Sequence, residues 1–403
     1  MPTDTQSREN TYQQLPELGA DPSYKESIAK SIEIRKVALR NRFDHGRIIQ
    51  LDRANGNSEL EKSLARIEQG MAQCDDSFII GICENGDDMD RHTYAKAILC
   101  NRDQCPTCGT RNSDAHLRRF ARILPKVQQL SRVGYFTIQF VQKDRPNFRS
   151  KEALQKAGKI VRKILKAWGF DRGLRRWDWF GEPKCPVCWR PMTWQPNQED
   201  TDWHCRRHGN FSVDDVNPHT MSYHPHLNVL VEGRYVEADV LVQIQKALSE
   251  ALIGTWDVDL DAKGRLQKVR AGIIMHYEYA EDHEDRRKHE KFVRQSLHWA
   301  RYIEKPTFLG LSWDPEEAAK LYGFRNGSWW GHWQDSPAWD LETQEDSEDL
   351  GDLLSLQAGE CPICGSHIKW DGKVMSGSKL RNMILDQSGE MLPEGGGYHL
   401  ILL

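Results

Sequence analysis

The stretch YHPHLNVLVEG, residues 223 to 233, sets His224 and His226 one residue apart at the head of an apolar run. Side chains on a β-strand alternate between faces, so the two imidazoles would share a face while Pro225 points the other way. Such a pair can hold one divalent cation; two hydrogen-bonded histidines opening a buried strand would read the same way. Pro225 has no N–H to give a ladder, so it must fall at a strand start or an unpaired position. A third ligand is available in LRRWDWFGE, residues 174 to 182, where Asp178, Phe180 and Glu182 alternate to one side. If that strand pairs with the histidine strand, Glu182 is the preferred carboxylate and Asp178 the runner-up. Two histidines and one carboxylate with open positions suit Mg or Mn.

A second chemistry lies in KFVRQSLHWARYIEKP, residues 291 to 306. Val293, Leu297 and Ala300 recur at i, i+4 and i+7, the buried stripe of a helix. Tyr302, nine residues past Val293, falls on the opposite side at about 100° per residue. Lys305, three residues on, shares its face. A phenol with pKa near 10, beside an ammonium and a metal that favour its phenolate, can attack a phosphodiester. The plainer reading is an ordinary amphipathic tyrosine.

Ten cysteines supply a third chemistry. Cys83, Cys100, Cys105 and Cys108 include a C-x-x-C knuckle and can surround zinc tetrahedrally. Cys185, Cys188, Cys205 and His208 read as a zinc ribbon whose polar filler could not build a core unaided, so metal would drive its folding. His204 competes with His208, but the two-residue spacer after Cys205 favours His208. Cys361 and Cys364 form a half-site, with His367 or the distant His399 as candidate completions, and Cys74 is left over as structural.

The elements that must position these groups follow from periodicity. GYFTIQFV (134–141) reads as a strand, and Ser150 caps a helix that ends at Gly169. The strand 174–182, the ribbon 183–210 and the histidine strand come next. They are followed by a helix over 237–254, a strand over 268–279 and a helix over 288–305 that Pro306 halts. Without the ribbon the order is β-α-β-β-α-β-α. The expected fold is therefore α+β: a split βαβ antiparallel sheet with helices on one face, carrying an inserted and flanking zinc ribbons. The expected divisions are an N-terminal helical arm (1–72), a zinc-binding segment (73–132), a catalytic domain (133–325), an acidic linker (335–355) and a knuckle-like C-terminal segment (356–403).

The 403 residues carry 55 Lys and Arg against 59 Asp and Glu, a formal charge of −4, which argues against coating nucleic acid by bulk attraction. The charge is uneven. Basic clusters occupy Arg118, Arg119 and Arg122, the stretch Lys159 to Lys166, and Arg172 to Arg176, whereas residues 335 to 352 are acidic. No apolar run approaches a membrane span and no signal peptide is evident, so a cytoplasmic address without a membrane partner is expected.

Taken in order, YFTIQF, HPHLNVLVEG and YIEK resemble the three motifs of the HUH endonuclease superfamily, specifically single-tyrosine rolling-circle replication initiator (Rep) proteins. The resemblance covers roughly residues 83 to 310. It implies a nucleophile at Tyr302, a helper at Lys305, and catalytic metal ligands at His224, His226 and the glutamate position that Glu182 matches. Asn228 stands where many relatives have a third histidine, and the ribbon splits the glutamate strand from the histidine strand. The implied activity is nicking and rejoining of single-stranded DNA at a plasmid replication origin, with Mg or Mn at the active site and structural Zn elsewhere. No G-x-x-x-x-G-K-[ST] loop is present, so any helicase would be a separate partner. A transposase or relaxase would share these residues, and a non-catalytic zinc-ribbon protein that binds nucleic acid is the rival from another class.

Overall fold

The computed structural model describes residues 74, 76–84, 91–101, 105, 108–109, 113–180, 185, 187–188, 192–196, 201–211, 223–261, 266–305, 321, 324–334, 336–339, 341 and 347–402. The expected arm at 1–72 lies outside them. The described chain opens with β1 (Ser77–Cys83), β2 (Thr93–Ala97), α1 (Asp114–Val127), β3 (Arg132–Phe140), α2 (Lys151–Ala167) and β4 (Gly173–Phe180). Three short strands follow, β5 (Thr193–Pro196), β6 (Thr201–Cys205) and β7 (Gly209–Phe211), then β8 (Tyr223–Glu232) and α3 (Ala238–Ile253). A hairpin of β9 (Asp257–Leu260) and β10 (Leu266–Ala271) leads to β11 (Ile273–Glu281), α4 (Arg286–Ile303) and β12 (Gly327–Trp330). The chain closes with α5 (Ser347–Ala358), β13 (Ile368–Ser376), α6 (Gly377–Asp386), β14 (Glu390–Gly395) and β15 (Tyr398–Leu402).

The helices start and stop where local chemistry dictates. Ser150 accepts a hydrogen bond from the Ala153 N–H at the head of α2, and Asp285 does the same for Lys288 at the head of α4. Gly254, at φ +80°, closes α3 in the left-handed conformation that glycine adopts without strain. The single strand expected over 268–279 is instead β10 and β11, broken at Gly272, whose φ of +118° no longer side chain tolerates well.

The central sheet runs β11-β3-β8-β4-β12, and every neighbouring pair is antiparallel. Numbering its first four strands in chain order gives 4-1-3-2, with the histidine strand β8 in the middle. Pro225 is tolerated there because neither ladder pairs it: the β3 register ends at Gln139 opposite His226, and the β4 register shifts between Asp178 and Phe180.

Alternation along the strands separates two faces. Phe136, Trp177, Leu227, Val229 and Ile273 pack with α2 and α3 in one core. Tyr135, Leu174 and Leu230 face the other way and pack with α4 and α1. The expectation of helices on one face is thus corrected to helices on both. The physical reason is that α4 is apolar around more of its circumference than one stripe: Phe292, Val293, Leu297, Trp299, Ala300 and Ile303 are all buried. On one side Trp299 stacks on Tyr135 of the sheet; on another Arg301 lies over the ring of Phe120 from α1.

A second antiparallel sheet, ordered β13-β1-β2-β15-β14, interleaves the two ends of the described chain: β1 pairs with β13 and β2 with β15. The second half of the expected acidic linker is α5, whose Leu350, Leu353 and Leu356 are buried in the same core as α1 and α4. The alternation of leucine with acid in that stretch is helical amphipathicity, not tether composition.

Candidate active site and metal-binding groups

On β8, Leu227, Val229 and Val231 face α2 and α3, so His224, His226 and Asn228 face α4. On β4 the same parity turns Arg176 and Asp178 toward α4, because Trp177 and Trp179 belong to the opposite core. Asp178 sits directly across from His226 in the ladder. Its Oδ2 lies 3.4 Å from His226 Nε2 and 2.7 Å from Lys305 Nζ. Glu182, the preferred third ligand, lies outside the described residues, and the register shift after Asp178 interrupts the alternation that linked the two. Among the described residues, the carboxylate beside His226 is Asp178, the runner-up.

Tyr302 occupies the last turn of α4, and Lys305 follows the helix end, its N–H bonded to the Tyr302 carbonyl at 3.2 Å. The lysine ammonium lies 4.1 Å from the centre of the Tyr302 ring, close enough for its charge to act on the phenol. The expected shared face therefore exists. Tyr302 does leave the Val293 stripe, but it does not leave the protein: its ring meets Tyr135 edge-on at 6.1 Å over the sheet. Tyr302, Lys305, Asp178 and His226 form one continuous polar chain at the interface of α4 and the sheet.

Its electrostatics are set by burial working against pairing. Burial alone would raise the Asp178 carboxyl, yet the Lys305 ammonium and then His226 hold it well below the usual carboxylate range. Burial would likewise lower Lys305, but Asp178 and then the Tyr302 hydroxyl keep it above its ordinary value. Lys305 is consequently a fixed positive charge rather than a proton acceptor. Tyr135 was not foreseen as a site residue. Burial pushes its phenol well above 10, and its hydroxyl has no hydrogen-bond partner. Asn228 Oδ1 is a second buried acceptor without a partner on this face.

His226 Nδ1 lies 3.1 Å from the His224 carbonyl, to which it can only donate. Its Nε2 then presents to Asp178 Oδ2, and two acceptors facing one another need a cation between them, a proton or a metal ion. Backbone anchoring of the second ring nitrogen is the arrangement metal-ligating imidazoles use. Two ligands at about 2.1 Å from one ion stand roughly 3.0–3.4 Å apart, which the Asp178–His226 spacing matches. The His224 and His226 rings are 5.6 Å apart at 45°. The three ligand atoms do not all close within 4.8 Å of one another, as those of the cysteine groups do.

Three groups of four Cys and His residues gather in that way among the described residues, and each could hold a metal such as zinc. No cysteine is in a disulfide. Cys185, Cys188, Cys205 and His208 form one, with Sγ and Nδ1 spacings of 3.5 to 3.7 Å, near the ~3.5–3.8 Å edges of a tetrahedral zinc site. The competing His204 is turned to Asn210 instead. The other two groups correct the expected pairing. Cys100, Cys105 and Cys108 are joined by Cys74, not Cys83. Cys83 joins His92, Cys361 and Cys364, which completes the half-site without His367 or His399.

The cause is the β1–β2 hairpin. Ile82 pairs with Thr93, so Cys83 and His92 flank the same end, with Sγ 3.7 Å from Nδ1, and β13 brings the C-terminal knuckle alongside. Two strand-like runs ending in Cys83 and beginning after His92 were the signal in the sequence. Local donors lower two of these thiols, the Arg207 N–H helping to bring Cys205 to about 6 and Ser366 bringing Cys364 to about 6, whereas burial raises Cys361.

Comparison with family models, with curated proteins and with solved structures finds no match to this chain.

Proposed function

We propose that the protein is a metal-dependent single-strand DNA nuclease and strand transferase of the HUH kind, acting as a rolling-circle replication initiator with Tyr302 as nucleophile. The observation that carries this reading is the meeting of Tyr302 and Lys305, from the end of α4, with Asp178 and His226, from paired central strands. These residues are far apart in sequence. Their types are those a phosphoryl transfer needs: a hydroxyl, a fixed cation and imidazole and carboxylate ligands. The 4-1-3-2 antiparallel order of the sheet supports the same reading.

In the proposed step the Tyr302 Oη–P bond forms and the P–O3′ bond breaks. The 3′-oxygen leaves as a hydroxyl, taking up the proton that the tyrosine gives up, and a 5′-phosphotyrosine remains. Lys305 holds the tyrosine oxygen and places positive charge beside the phosphoryl oxygens, where charge rises in the transition state. His224, His226 and Asp178 would hold Mg or Mn, which supplies polarisation of the scissile phosphoryl oxygen. The covalent link conserves the phosphodiester, so the same residues serve rejoining. Tyr135, itself stacked on Trp299 of α4, meets the nucleophile's ring edge-on from the sheet side.

The test is incubation of the full chain with labelled single-stranded oligonucleotides and Mg or Mn, followed by denaturing electrophoresis. A protein–DNA band is expected for wild type and is lost in Tyr302→Phe. In Lys305→Met its formation slows on the order of a hundredfold. An adduct formed equally well by Tyr302→Phe would overturn the nucleophile, and one unaffected by His224→Ala with His226→Ala would overturn the metal. A non-catalytic zinc protein that binds nucleic acid is the second reading. It is favoured by the Lys305–Asp178 pair, which engages the carboxylate, and it requires that no band form. A transposase or relaxase would give the same band and is told apart by which DNA ends are joined.

A further inference from the structure

On the face of the central sheet away from Tyr302, β4 presents Arg175. The residue is only 8% exposed, and its Nε and Nη1 are buried without a hydrogen-bond partner. Its guanidinium lies flat against α2 at Gly158, where an added Cβ would stand 2.3 Å from Cζ and from Nη1. Arg162 is one turn further along α2 on the same face, and Arg325 precedes β12, whose Ser328 pairs with Arg175. Burial, and then the charges of these two arginines, depress Arg175 to about 10, and no carboxylate of the described residues enters the balance.

Three arginines from α2, β4 and the approach to β12 therefore converge with no acidic partner among the described residues, one of them buried with donors unmet. Burying an unpaired charge is costly, and a guanidinium fork with open N–H groups is shaped for an oxyanion. The glycine at 158 is what makes room for the fork. The basic runs at Lys159 to Lys166 and Arg172 to Arg176 thus have a meeting point, which is not the catalytic face.

We propose that Arg175, Arg162 and Arg325 form a phosphoryl-oxyanion site behind the central sheet, occupied by a backbone phosphate of the bound strand or by free phosphate. The strand source rests on the nuclease reading; the oxyanion site does not.

The experiment uses the full chain with two probes. Inorganic phosphate is titrated while the melting temperature is followed, and a fluorescent oligothymidylate is bound across a range of salt concentrations. Phosphate is expected to raise the melting temperature of wild type and not that of Arg175→Met. If a strand phosphate is the occupant, the variant also binds the oligothymidylate on the order of tenfold more weakly. Its salt slope falls by about 0.7, the share of one neutralised phosphate on a single strand. Loss of phosphate protection with unchanged oligonucleotide binding assigns the site to free phosphate. No change in either measurement overturns it. Arg162→Gln and Arg325→Gln repeat both measurements with exposed residues, so a folding defect in Arg175→Met does not decide the outcome. Failure of the nuclease reading would appear separately, as absence of the covalent band with phosphate protection intact.

Discussion

Lys305 Nζ lies 2.7 Å from Asp178 Oδ2, joining the segment after α4 to the centre of the sheet. Asp178 is buried and Lys305 half-buried, and His226 and Tyr302 flank the pair on either side. It positions the tyrosine and fixes the charge of the site at the same time.

Replacing Asp178 with Asn leaves the half-buried Lys305 charge without its counter-ion, at a cost of about 3–5 kcal/mol in urea melts. The sign of the pH dependence follows from both partners. Asp178 is held below its ordinary value, so its contribution is present above the unfolded carboxylate range, near 3.9, and is lost as pH falls through its folded value. Lys305 is held above its ordinary value, so its contribution is present below about 10.4 and is lost as pH rises through its folded value. The stability gap between wild type and Asp178→Asn is therefore flat from about pH 5 to pH 9 and narrows in stronger acid. A gap that grows on acidification would contradict the assignment of the ion pair.

The regrouping of the cysteines predicts a pattern in metal content. Atomic emission on purified protein is expected to find three zinc ions per chain, one for each group. Cys83→Ser and Cys361→Ser should each lose one, and the double variant should lose no more than either, because both belong to one site. Cys83→Ser combined with Cys100→Ser should lose two. The reverse pattern would restore the pairing expected from sequence spacing.

Leu353 in α5 is 3% exposed. If residues 335 to 355 were a tether, Leu353→Ala would be nearly neutral; packed as it is against α1 and the second sheet, it should cost about 2–5 kcal/mol in thermal or urea unfolding.

Periodicity made the central strands and helices legible. The apolar alternation of β3 and β8 and the cap at Ser150 locate elements to within a few residues, and the parity of β8 puts His224 and His226 on one face. What sequence spacing could not carry was whatever depends on a break in regularity or on distant pairing. Among the described residues the carboxylate beside His226 is Asp178, in the strand's interior, and the register shifts just beyond it, so simple alternation does not carry past that point. Spacing groups Cys83 with the knuckle that follows it, Cys100 to Cys108, whereas its partners arrive through a hairpin and a strand from further along the chain. The polar face of the sheet gave no hint that a second helical layer covers it, because that layer is built from α1 and α4 together. Arg175 read as one more member of a basic run; only the sheet register shows that it points inward.

The interleaved second sheet sets an order of events during synthesis. β1 and β2 emerge early, but each must wait for its outer neighbour, β13 or β15, and Cys83 and His92 must wait for Cys361 and Cys364. A ribosome has to deliver the chain through Cys364 before that metal group can close. A product terminated before residue 361 would carry the Tyr302 helix and its central sheet complete, but β1 and β2 without their outer neighbours and Cys83 and His92 without their partners.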